Sequence, residues 1–111
     1  MANKFKSIGL DLTTTSDTTA VTASGSSICI VGSIVVANNH ASTSSTISVT
    51  VDDTSAGTTV NLATLETVVA GCSFEVLTRP IILENLDILK VQAANANVLT
   101  VLVSYLDRDR T

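Results

Sequence analysis

The 111-residue sequence has no tryptophan, one tyrosine, two phenylalanines and one histidine, and each shortage removes a class of function. Sugar-binding faces are commonly built from exposed aromatic rings, so three rings in the whole chain leave glycan recognition a minor alternative. Six basic residues against ten acidic ones give a net charge of -4, which argues against nucleic acid, whose phosphates call for Lys and Arg. The longest apolar stretch, 28–37, is interrupted by Gly32 and Ser33 and falls far short of the roughly 20 residues that cross a bilayer. After Lys4 and Lys6 the apolar positions are broken by Gly9, Asp11 and a threonine run, so no core of about 7–15 apolar residues marks a leader. We therefore expect a chain made in a cytoplasm, with no membrane and no nucleic acid among its partners.

Cysteine and proline are also scarce. Cys29 and Cys72 sit in apolar segments at a spacing that fits neither a zinc site nor a CxxC redox pair, and are expected to be small buried hydrophobes; a disulfide between them stays open. The lone proline, Pro80, lacks an amide hydrogen and predicts an edge, a strand start or a bulge at 79–80.

What is abundant is aliphatic and hydroxyl side chains: Val, Ile and Leu number 33, and Ser and Thr number 30. No window of a dozen residues spaces its apolar positions by three and four, so the composition predicts strands and turns. The length fits one domain, 1–111. Ile8, Leu10 and Leu12 alternate with polar or small residues, as do Ile47, Val49 and Val51, which is the period of half-buried strands. Further strands are expected at 18–24, 58–67 and 73–78, the last with Phe74 and Val76 inward. Residues 38–45 read as a loop, and 13–17 and 53–57 as turns.

Two segments differ. In 27–37, Ile28, Ile30, Ile34 and Val36 are expected on one face against Cys29, Val31 and Val35 on the other, and 98–106 is apolar on both sides as well. Each is expected as a central strand, its second face covered by loops or by another subunit; closed symmetry makes a homo-oligomer the first expectation. Residues 88–94 and 98–106 read as a hairpin across Asn95-Ala96-Asn97. About eight strands at this spacing predict an all-β antiparallel sandwich or jelly roll.

Catalytic chemistry has little to work with. The only imidazole, His40, lies in the polar loop with no nucleophile motif beside it and is expected to be an ordinary surface histidine. Asp52 and Asp53 adjoin at a strand end and point to opposite faces, so a solvated turn is expected rather than a shared metal or substrate. With no phosphate loop, HExxH or EF-hand series, we expect no enzyme, no cofactor and no metal.

The runs Phe74-Glu75-Val76-Leu77, Pro80-Ile81-Ile82-Leu83-Glu84, Asp87-Ile88-Leu89-Lys90-Val91-Gln92-Ala93 and Val103-Ser104-Tyr105-Leu106 resemble those of small β-sandwich virion proteins of tailed bacteriophages, the head decoration or cement-like proteins. Upstream, 34–38 and 47–51 fit the same scheme, so the resemblance covers 27–106. The chain departs from it in its threonine-rich start and at Asn85-Leu86-Asp87, where a Gly-Asp turn is commoner. The resemblance implies a non-enzymatic virion structural protein, made in the bacterial cytoplasm, that stabilises the head by binding between subunits of the major capsid protein as a homo-oligomer, a trimer first. A place in the neck, tail or baseplate is the alternative, and a receptor- or glycan-binding module a lesser one. For partner contact we expect a mobile N-terminal arm at 1–6, with Asn3, Lys4, Phe5 and Lys6, and a solvated charged tail with Arg108 and Arg110.

Overall fold

The computed structural model describes residues 2–54 and 56–109. Nine strands are present among them: β1 (Ala2–Asp11), β2 (Thr18–Thr22), β3 (Ser27–Asn38), β4 (Ser45–Asp53), β5 (Thr58–Val68), β6 (Ser73–Glu75), β7 (Ile81–Leu83), β8 (Ile88–Ala93) and β9 (Leu99–Asp109). They form two antiparallel sheets. In the first, sheet A, the order is β1-β9-β3-β6, and β7 continues the β6 edge along β3; in the second, sheet B, it is β2-β8-β4-β5. Counting β6 and β7 as one interrupted strand, first pairs with last, second with second-last and so on inward, which is the jelly-roll order. Pro80 sits immediately before β7, where the missing amide hydrogen costs no ladder bond.

The core lies between the sheets. Alternation turns Cys29, Val31, Val101 and Val103 from sheet A and Ile47, Val49, Leu89 and Val91 from sheet B inward, all buried. Phe74 and Val76 pack against this core, as expected.

Several expectations need correction. β3 carries a bulge between Val31 and Ser33, so its phase flips at Gly32: Cys29, Val31, Ile34 and Val36 face inward, and Ile28, Ile30 and Val35 outward. Residues 88–93 and 99–109 are not a hairpin. β8 belongs to sheet B and β9 to sheet A, and the link between them crosses the sandwich. Asn97 turns it in the left-handed region at φ 64°, its amide donating to the Leu12 carbonyl at 2.9 Å while the Ala94 amide donates to Thr46. Residues 3–6 are not a free arm but the first half of β1, paired to β9; Asp107 and Arg108 likewise belong to β9 rather than to a solvated tail. Cys29 is buried as expected, but Cys72 is exposed in the turn before β6; both thiols are free. The departure at 85–87 has a backbone counterpart: Leu86 stands at φ 69°, a conformation that favours glycine. The buried Asp87 carboxylate fastens that turn by accepting the amides of Thr54 and Glu84 at 3.1 and 3.0 Å.

Candidate functional site

The polar groups singled out by chemistry are occupied by the fold. His40 Nδ1 accepts the amides of Ser42 and Thr43 at 3.2 and 3.1 Å, which places the ring proton of the neutral imidazole on Nε2 and makes the side chain the organiser of its own loop. The buried Asn38 holds the same loop, donating from Nδ2 to the carbonyls of Thr43 and Val68. Asp52 and Asp53 do diverge. Asp52 pairs with Lys90 Nζ at 2.7 Å and accepts the Thr59 hydroxyl, whereas Asp53 accepts the Ala56 amide within its turn. Among the described residues, no three His, Cys, Asp or Glu side chains cluster as metal ligands. Burial first, then the neighbouring Asp107, pushes the Cys29 thiol up, away from the nucleophilic thiolate.

The surface that stands out is the outer face of sheet A. The register sets Phe5 beside Leu106, Leu106 beside Ile30 and Ile30 beside Ile82, an apolar row across all four strand positions of the sheet. Ser7, Ser104 and Ser33 form the next outward row, and Gly9, Leu102 and Val35 the row after it. Phe5 is 87% exposed, Ile82 64% and Leu102 48%. A shallow hollow of about 370 Å³ lies between Phe5, Leu106, Ile30 and Gly32, and a second of about 360 Å³ lies over Gly9, Val35 and Leu102. This is the uncovered second face that the two-sided patterns of β3 and β9 imply.

Glu75 bounds the face at the β6 edge, its carboxylate turned back onto the β3 bulge. It accepts the Ser33 hydroxyl and the amides of Ile34 at 2.8 Å and Leu77 at 3.3 Å. Burial pushes its pKa up, but these bonds outweigh that and hold the carboxyl below its ordinary range.

The candidate partner residues divide between the two sides of the sheet. Asn3, Phe5 and Arg108 share the outer face, Asn3 lying directly opposite Arg108 in the register. Lys4 and Lys6 alternate to the other side, where Lys6 Nζ meets Asp107 Oδ2 at 3.1 Å; this hydrogen bond and the carboxylate charge raise the Lys6 pKa. Arg110 lies outside the described residues. Ile30, Ile82, Leu102 and Leu106 were not among the candidates, although consecutive apolar residues, as in Pro80-Ile81-Ile82-Leu83, are the signal that a strand is apolar on both faces.

No family model matches the chain, and no curated protein matches it. Among solved structures, the N-terminal CBM22-1–GH10 modules of Clostridium thermocellum endo-1,4-β-D-xylanase 10B, complexed with xylohexaose, are similar over 80% of this chain and 18% of that one, at 19% identity and a TM-score of 0.38. The chain thus spans about a fifth of that structure's length, and a likeness at this level carries nothing about function.

Proposed function

We propose that this chain is a non-enzymatic structural protein of a tailed-phage virion, decorating the head on subunits of the major capsid protein, and that its work is association through burial of surface. The observation that supports this reading is the apolar row Phe5, Leu106, Ile30 and Ile82 on the outside of a jelly roll. A soluble monomer gains nothing from such a face, whereas an assembled subunit gains roughly 25 cal/mol per Å² of apolar area removed from water. Fold alone does not distinguish a decoration protein from other jelly rolls, so the virion assignment rests on the resemblance of 27–106 and the mode of action on the face. Repetition on a lattice multiplies a modest contact by avidity.

Quantitative mass spectrometry of purified virions, against the major capsid protein, tests the assignment. Hundreds of copies in simple ratio to the capsid subunit are expected. Three to a few dozen copies would move the protein to the neck, tail or baseplate, and absence from the particle would refute a virion role.

A further inference from the structure

We infer that the outer face of sheet A is covered by a second copy of the same chain, the two sheets packing face to face about a two-fold axis that runs along the strands between β9 and β3. This rests on the association proposed above but gives the apolar face to a second copy, which leaves the capsid contact to surfaces outside that face. The outward row reads Phe5, Leu106, Ile30, Ile82 across β1, β9, β3 and β7. A two-fold along the strands exchanges the outer pair of strands with each other and the inner pair with each other. Phe5 then faces Ile82 of the second copy, Leu106 faces its Ile30, and one step along Leu102 faces its Val35. Between these apolar pairs Ser104 meets Ser33. The face is therefore self-complementary in the way an isologous contact requires, where residue i meets j and j meets i.

Size and charge agree with this occupant. Four strand positions at about 4.8 Å and ten residues at about 3.3 Å make a face of roughly 600 Å² per copy, so roughly 1,200 Å² in a pair, the lower bound of stable specific interfaces. Charged side chains stand at its margins: Arg108 and Asp11 in the end rows, and Glu75 at the β6 edge with its carboxylate bent onto Ser33 and Ile34. The centre is apolar or hydroxylic, as in interface cores. The same axis sets the 3–6 and 106–108 ends of both copies side by side, pointing one way. A dimer thus offers Asn3 and Arg108 twice to a single surface, and a pair replaces the trimer expected from the resemblance.

Sedimentation equilibrium of the full chain at roughly 100 µM, where even a dimer with a Kd near 10 µM is well populated, should give twice the 11.5-kDa chain mass. The double variant Ile82→Ser/Leu102→Ser removes four apolar side chains per dimer while leaving the core intact, and should raise the dissociation constant at least about 100-fold. Cross-linking tests the axis without depending on that variant. In a Cys72→Ser background, chains carrying Phe5→Cys mixed with chains carrying Ile82→Cys should be joined as a heterodimer by a short bis-maleimide, which spans the roughly 10 Å between facing sheets that a disulfide cannot, and neither should cross-link alone. A monomer, a trimer, a dimer indifferent to the double variant, or Phe5→Cys chains cross-linking to themselves would each overturn the inference. None of these results bears on copies per virion, so the virion assignment and the dimer fail separately.

Discussion

On the outside of sheet B, Asp52 bridges Lys90 and Thr59, and Gln92 reaches the Thr15 carbonyl; on the outside of sheet A, Phe5, Leu106, Ile30 and Ile82 stand in a row. Both faces belong to one sandwich and cover the same core, so the core does not demand the difference. β4 satisfies it with Ile47 and Val49 inward and Ser48, Thr50 and Asp52 outward. β3 does so with Cys29, Val31, Ile34 and Val36, and then adds Ile28, Ile30 and Val35 on the far side. Aliphatic residues in excess of what the core needs are what an antiparallel strand carries when its second face is also covered.

The comparison depends on the β3 bulge, and the largest expected effect tests it. Ile34 is fully buried, whereas Ile30 lies on the outer face. Ile34→Ala should cost roughly 2–5 kcal/mol of unfolding free energy, as large-to-small core changes do. In urea melts run at a concentration low enough to keep the chain monomeric, Ile30→Ala should cost well under half as much. Equal losses would mean that the phase does not flip at Gly32 and that the two faces of β3 have been assigned wrongly.

Alternation made the fold class and most strands legible in the sequence, because a half-buried strand must repeat every two residues. Where one residue is inserted the repeat carries no mark. Ile28, Ile30, Ile34 and Val36 look continuous along the chain, yet the bulge places the first two outside and the last two inside. The false hairpin at 88–106 has a related cause, since a three-residue link with Asn at both ends suits a hairpin as well as a crossing; the pairing of β9 with the distant β1 and β3 decides. For the site, Phe5 was singled out as part of a mobile arm, a reason that its pairing with Leu106 removes, and Ile82 was not singled out. Its exposure follows from pairing with Ile30 on an edge interrupted around Pro80, a relation between distant segments.

The polar face has exceptions of its own: Ile88, in register with Asp52, and the more exposed Leu65. Leu65, 66% exposed, stands at a β5 bulge at φ 50°, its amide donating to Ser48 Oγ at 3.1 Å. An L-residue with a side chain is strained there by about 1–2 kcal/mol, and glycine is not, although glycine also loosens the unfolded chain. Leu65→Gly should therefore stabilise the protein by about 0.5–1 kcal/mol in urea melts. A loss of stability would show that Leu65 packs on something, and that the two faces differ less than their composition implies.

The smallest effect is electrostatic and separates the faces by mechanism. Each carries a carboxylate held below its ordinary range. For Asp52 the first cause is the hydrogen bond from the Lys90 ammonium, then the Thr59 hydroxyl. For Glu75 burial acts upward first, but is outweighed by neutral donors, the Ser33 hydroxyl and the amides of Ile34, Leu77 and Val76. A depressed folded pKa stabilises the native state above the unfolded carboxylate pKa, and that stability is lost as pH falls through the folded value. Both groups therefore favour folding at neutral pH and cease to do so in acid. They differ in what removes the depression, because Asp52 depends first on one ammonium at 2.7 Å and Glu75 on neutral donors alone. Carboxyl carbon NMR titrations of the protein and of its Lys90→Met variant should show Asp52 moving up toward its ordinary range in the variant while Glu75 stays. Glu75→Gln should remove its share of the acid dependence in either background. If Glu75 instead rose together with Asp52, its depression would come from a cation, and the clasp on the β3 bulge would not be the neutral arrangement that keeps charge off the outer face of sheet A.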